Sequence, residues 1–157
     1  MKIIIVTIGR TQDKMMSAAI DRYCSRIGHY VPFEYVELPD VRGCRTGDTA
    51  RQKELEGQAI LARVGAGDRL VLLDERGREH TSRQFADQIL QSMNTLQRNL
   101  VFAIGGPYGF SQAVYDRAQG MLALSRMTLT HEMARLFFTE QVYRAMTIIR
   151  GEPYHHD

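Results

Sequence analysis

Leu100-Val101-Phe102-Ala103-Ile104 runs without a break into Gly105-Gly106-Pro107-Tyr108-Gly109-Phe110-Ser111. Five consecutive apolar residues suit a strand buried on both faces, as in a parallel sheet. The glycines and the proline stop it, and Ser111 is placed to cap a following helix. Strand, glycine turn and helix form the unit from which α/β domains are built, and open sheets of that kind bind ligands beyond the C-terminal ends of their strands. Glycine also lets backbone approach a ligand where a Cβ would intrude. From the glycines alone, a ligand loop and a purely structural turn both stay open. The pattern G-G-P-x-G lacks the G-x-G-x-x-G spacing of a dinucleotide site, and no G-K-[ST] is present to hold phosphate and magnesium. His131-Glu132-Met133-Ala134-Arg135 has Arg where a zinc protease needs its second His, and no G-x-S-x-G elbow occurs.

Working outward, the same alternation recurs. Residues 2–8 read as a strand ending at Gly9, and 13–26 as a helix. Residues 33–38 read as a half-exposed strand between Pro32 and Pro39. A polar stretch over 39–49, with Arg42, Gly43, Arg45 and Gly47, is a candidate mobile loop. A helix over 50–64 is stopped by Gly65-Ala66-Gly67-Asp68 before a buried strand over 69–73. Thr81 or Ser82 caps a helix over 81–96, a short apolar element covers 120–125, and a long helix spans 131–150. In that last helix Met133, Leu136, Phe137, Val142, Met146 and Ile149 form an apolar stripe. The expectation is a single α/β domain with a largely parallel sheet flanked by helices; no repeat or linker divides the chain.

At 157 residues with 44% hydrophobic content, the chain can bury an ordinary core, which excludes a disordered tail or a staple-dependent mini-protein. A formal charge of +2 excludes a protein that coats nucleic acid by bulk charge, so an RNA partner has to be met by a local patch. The basic charge is carried almost wholly by arginine, with lysine only at Lys2, Lys14 and Lys53. No apolar run approaches the roughly 20 residues of a membrane span, and no signal segment precedes the first strand; a cytoplasmic soluble protein is expected. Cys24, His29 and Cys44 supply one isolated C-x4-H without a second ligand pair, so two reduced thiols and no metal are expected.

The C-terminal end carries the other polar signal. Glu140 and Arg144 are four apart on the last helix and share a face, which by itself also suits a simple ion pair. Gly151-Glu152-Pro153-Tyr154-His155-His156-Asp157 then ends the chain with an aromatic and two imidazoles.

Five segments in order, Leu72-Leu73-Asp74, Phe102 to Gly109, Leu124-Ser125-Arg126-Met127-Thr128-Leu129-Thr130-His131, Glu140-Gln141-Val142-Tyr143-Arg144-Ala145 and Gly151-Glu152-Pro153-Tyr154-His155, resemble the ribosomal RNA large subunit methyltransferase H family of the SPOUT (trefoil-knot) methyltransferases. The resemblance covers the whole chain. It implies a deep C-terminal knot and a homodimer acting on assembled ribosomes. The reaction it implies is transfer of a methyl group from S-adenosylmethionine to N(3) of a pseudouridine in a 23S rRNA stem-loop, leaving S-adenosylhomocysteine. The cofactor-binding residues it implies are Leu73, Gly105, Gly106, Ser125, Arg126, Met127, Thr128, Leu129 and Thr130, with 124–129 clasping the adenine.

For catalysis the resemblance directs attention to Arg144, Tyr154, His155 and Glu140. Arg144 would stabilise the negative charge left on the base's carbonyl oxygens, and Tyr154 and His155 would stack on or hydrogen-bond the base. His155 is the first candidate for general base because its ordinary pKa lies near neutrality, with Glu140 and His131 as alternatives. The family's tail has Arg or Lys after Pro-Tyr-His; here His156 stands there, leaving its role open. A tail from one subunit is expected to reach the other's cofactor, and Arg42, Arg45 and Arg51 to touch the ribosome. Three rival readings are a knotted RNA-binding protein without catalysis, a small α/β nucleotide-binding enzyme unrelated to RNA, which the absent phosphate motifs disfavour, and a SPOUT enzyme for another RNA base.

Overall fold

The computed structural model describes residues 1–41 and 47–156. Its elements in order are β1 (Ile3–Ile8), α1 (Lys14–Ile27), β2 (Phe33–Leu38), α2 (Thr49–Leu61), β3 (Arg69–Glu79), α3 (Ser82–Thr95), β4 (Leu100–Ile104), α4 (Gln112–Arg117), β5 (Gly120–Ala123) and α5 (His131–Arg150). The strands form one sheet in the order β2-β1-β4-β3-β5, with every pairing parallel. Arg42, Gly43, Cys44 and Arg45 lie outside the described residues.

The continuous apolar runs become double-faced strands. Ile3 and Ile5 of β1, with Leu100, Phe102 and Ile104 of β4, face a core closed by α1, α3 and α5. Ile4, Val6, Ile8, Val101 and Ala103 face the other side, against Ile60 of α2 and Val114 of α4. Three layers result, with period-two alternation deciding which core each residue joins.

The caps explain most helix starts. Asp13 lies just outside α1 and accepts from the Met16 amide at 2.9 Å. Thr81 closes a capping box with Gln84. Ser111 occupies the N-cap position of α4 but makes no capping hydrogen bond; its side chain packs against Gly57 of α2, which has no Cβ in the way.

Two expectations need correcting. On α5 the residue placed deepest in the core is Phe138, 0% exposed, while Phe137 and Met133 from the expected stripe are exposed. The helix packs against both α1 and α3, so its buried face is wider than one stripe and is centred on Phe138, Val142, Ala145 and Met146. β3 also continues past Leu73, where the apolar run stops. It pairs with β5 at Leu73, crosses against that strand's backbone at Gly77, and pairs again at Arg78 and Glu79, so that Leu122 has a register partner before and after the excursion.

Two of the arginines tie separate elements of the fold together. Arg117 reaches the carbonyls of Gly65 (2.8 Å) and Asp68 (2.9 Å) with one nitrogen. Arg135, 5% exposed, donates to the Ile8 carbonyl (2.5 Å) and the Thr11 hydroxyl (3.1 Å), tying α5 to the end of β1.

Candidate active site

A cavity of about 620 Å³ opens beyond the ends of β4 and β5, against the middle of β3, inside the usual 300–1,000 Å³ range of small-molecule sites. Leu73, Gly105, Gly106, Ser125, Arg126, Met127, Thr128 and Leu129 all line it, so eight residues from three separate segments converge. Thr130 is not on the wall: its hydroxyl accepts from the Met133 amide and caps α5. Ser125 holds its own loop by accepting from the Met127 amide at 2.9 Å. Arg126 lies 3.2 Å from Glu79.

Gly106 has a steric reason to be glycine. A Cβ there would stand 2.5 Å from Oε2 of Glu56, a carboxylate 3% exposed. Glu56 Oε1 accepts from Gln52 at 2.9 Å, while Oε2 has no partner among the described residues. The turn thus presents bare backbone to the cavity with a buried carboxylate directly behind it.

The wall also contains a polar group of which the sequence points only to Asp74. Tyr115 donates to Asp74 Oδ2 at 2.5 Å, Arg76 lies 3.2 Å from Oδ1, and the Arg76 guanidinium stacks 4.7 Å over the Tyr115 ring. Burial pushes the Asp74 carboxyl upward, but hydrogen bonds from Arg76 and Tyr115 outweigh it and hold its pKa below the ordinary carboxylate value. A depressed folded pKa gives stability that is fully present above the unfolded pKa and lost as pH falls through the folded one. Asp74→Asn should therefore lower the melting temperature at pH 7 by about 2–4 °C, on about 1 kcal/mol of lost interaction. The gap should begin to narrow as the pH falls below about 4; melting curves of both proteins at pH 7 and pH 3 check this.

The second cluster sits at the far end of α5. Arg144 bonds Glu140 Oε1 at 2.5 Å, and Tyr154 donates to the same oxygen at 3.0 Å. Gln141 donates to Oε2 at 2.8 Å. Arg144 lies 3.3 Å from His155 Nδ1 and 4.8 Å over the Tyr154 ring. Gly151 adopts a left-handed φ of 68° at the C-cap, which ends α5 and turns the tail back onto it. Glu152 then receives the Tyr30 hydroxyl at 2.6 Å. Tyr143 packs against Tyr154, Tyr23 and Tyr30. All four expected catalytic residues thus meet, braced by an aromatic cluster that the sequence did not announce. Burial and hydrogen bonds with Tyr23 and Glu140 push the Tyr154 pKa up, so it stays a donor. The Glu140 bond raises that of Arg144 despite partial burial. His156 is exposed, and Arg51 lies 3.5 Å from Glu54 on α2. Cys24 is half-buried, and burial followed by the Asp21 charge pushes its thiol up to about 12.

The two clusters are not one site within a chain. His131 and Ala134, at the start of α5, line the cavity, and Arg144 lies ten residues beyond Ala134, roughly 15 Å along the helix at 1.5 Å per residue.

Residues 1–155 match a family model described as "Predicted SPOUT methyltransferase". The chain is 51% identical over 157 residues to a ribosomal RNA large subunit methyltransferase H of Porphyromonas gingivalis and 49% identical to that of Parabacteroides distasonis, each covering both chains fully. Against the protein of that name from Cytophaga hutchinsonii it is 49% identical over 156 residues, covering 99% of this chain and 100% of the relative. Among solved structures, a probable methylase family protein from Haemophilus influenzae shares the fold with a TM-score of 0.55 at 11% identity, covering 99% of this chain and 70% of that one. Three segments converging on one cavity, a match from end to end and relatives near half identity lead to one conclusion: the chain belongs to the SPOUT methyltransferases, in the family of ribosomal RNA large subunit methyltransferase H.

Proposed function

We propose that this protein uses S-adenosylmethionine to methylate N(3) of a pseudouridine in 23S rRNA, as a knotted homodimer working on assembled ribosomes in the cytoplasm. The observation that carries the reading is the separation just described: a ligand-sized cavity at one end of α5 and a braced cationic cluster at the other. A two-fold pairing that sets the tail of one protomer over the cavity of its partner makes both useful, and each site then draws on two chains. Exposed apolar side chains on α1, the 124–130 loop and α5, namely Met15, Met127, Met133 and Phe137, support such a pairing. The excursion of β3 across β5 at Gly77 supports the knot. Among the described residues no helix is long and apolar enough to cross a membrane.

The cavity fits the cofactor by size and by chemistry. Leu73, Leu124, Met127 and Leu129 offer apolar walls to an adenine, and the Gly105-Gly106 backbone offers hydrogen bonds without side chains in the way. When bound, the sulfonium supplies a methyl group open to in-line displacement. The protein's part is position and electrostatics. Arg144, held by Glu140, supplies fixed positive charge for the carbonyl oxygens that become negative as N(3) loses its proton. Glu140, which accepts from Arg144, Tyr154 and Gln141, is a positioning residue. Because Arg144 can only donate, His155 Nδ1 is an acceptor in the resting arrangement. When Arg144 turns to the base's carbonyl oxygen, Nδ1 is freed to take the N(3) proton. Calorimetric titration with S-adenosylmethionine, and mass mapping of rRNA nucleosides from a deletion strain, test the reading. Uptake and loss of N(3)-methylpseudouridine are expected; no uptake, or an unchanged nucleoside profile, would overturn it.

A further inference from the structure

A second cavity, about 180 Å³, lies between α3 and strands β3, β4 and β5. Its floor is apolar, from Phe85, Phe102 and Leu122, and Arg69, Arg78 and His80 also line it. Neither arginine forms an ion pair with a carboxylate among the described residues; Glu79, beside Arg78 in sequence, faces Arg126 instead. Arg69 Nε is buried with no hydrogen-bond partner. That is a costly state for a charged donor, and an anion held by the terminal nitrogens of the same guanidinium would offset it. Gln88 approaches His80 Nε2 at 3.2 Å, fixing the ring against the helix. Burial, and then the Arg78 charge, hold the His80 pKa below its ordinary value, as expected where positive charge collects without a counter-ion.

The size of this cavity decides what it can hold. It is smaller than the roughly 300 Å³ at which ordinary small-molecule sites begin. It therefore suits one group projecting from a larger molecule better than a whole free ligand. Two guanidinium forks without a carboxylate among the described residues call for a phosphate, and the apolar floor suits the sugar carbons beside it. We infer that this cavity takes a backbone phosphate of the RNA substrate, received by Arg69 and Arg78. His80 donates from the side. The inference rests on the RNA reading above and adds to it a contact site apart from the cofactor cavity. It also answers how a chain of net charge +2 can hold RNA: through a few arginines freed from carboxylates.

The test is a salt series. Affinity of the wild-type protein and of the Arg69→Gln/Arg78→Gln double variant for a 23S rRNA stem-loop is measured from low to moderate salt. One lost phosphate contact should reduce the slope of log affinity against log salt by about 0.7–0.9. The loss should fall on KM for ribosomes, by about tenfold, more than on kcat. In parallel, inorganic phosphate is titrated while the His80 imidazole is followed by NMR; a saturable shift with a raised pKa is expected in the wild type and none in Arg78→Gln. An unchanged salt slope in the double variant overturns the proposal. So does a site that binds adenosine monophosphate tightly while RNA binding is untouched, since that makes it a small-anion site. Absence of any methyl transfer to ribosomes by the wild type would instead sink the enzymatic reading, so the two failures are distinguishable.

Discussion

Replacing Arg144 with alanine should lower methyl transfer to intact ribosomes by about 10²–10³-fold, the usual cost of one donor aimed at developing negative charge, while affinity for S-adenosylmethionine stays within about twofold. The two effects separate because Arg144 is assigned to the base, whose negative charge develops only as the methyl group moves, and it lines no part of its own chain's cavity. Its partners, Glu140 at 2.5 Å and His155 at 3.3 Å, belong to the tail cluster. The side chain is 25% exposed and lies outside the buried core, so the fold should survive the change. Arg144→Lys keeps the charge but loses the planar fork that bridges Glu140 and the base, and it should be impaired nearly as much. Single-turnover methylation with tritiated cofactor, beside calorimetry, measures both halves. Equal losses in binding and turnover would place Arg144 at the cofactor instead.

Gly77→Ala should have the largest effect on stability. A Cβ at this position would stand 2.6 Å from the Leu122 amide nitrogen and 2.7 Å from the Met121 carbonyl carbon, both backbone atoms of a strand that cannot step aside. Overpacking of this kind costs about 3 kcal/mol or more, which for a chain of this size lowers the melting temperature by roughly 10 °C. Gly106→Ala meets only the end of the Glu56 side chain, so it should weaken cofactor binding with a smaller loss of stability. An unchanged melting temperature for Gly77→Ala would contradict the close crossing of β3 over β5.

The parts of this fold that are local in cause were legible from the sequence. Buried strands at 69–73 and 100–104 followed from apolar runs, and the helix over 131–150 from its helical spacing of apolar residues. The extension of β3 to Glu79 was not legible, because Asp74 to Gly77 are polar or small and their extended state is imposed by a strand over forty residues later. Strand order is equally non-local. Phe138 was passed over for Phe137 because periodicity gives a face only when the number of neighbouring helices is known. At the site, the resemblance located the three loops that line the cavity. It did not reveal that Asp74, the end of one of its segments, meets Arg76 and Tyr115 when β3 and α4 come together, nor Glu56, whose place behind Gly106 depends on how α2 docks. Glu140 and Arg144 left an ion pair and a functional reading both open; they do form the ion pair, and Tyr154 and His155 join it.

The composite site is tested most directly by mixing two inactive proteins. One carries Arg144→Ala and an intact cavity; the other carries Leu129→Arg, which sets a cation on the cavity's apolar wall against a cationic cofactor, and an intact tail. After subunit exchange at equal amounts, half the dimers are mixed. Each mixed dimer then holds one complete site if tail and cavity come from different chains, so activity should return to about a quarter of the wild-type level. If both came from the same chain no complete site could form, and a mixture as inactive as its components would contradict the account.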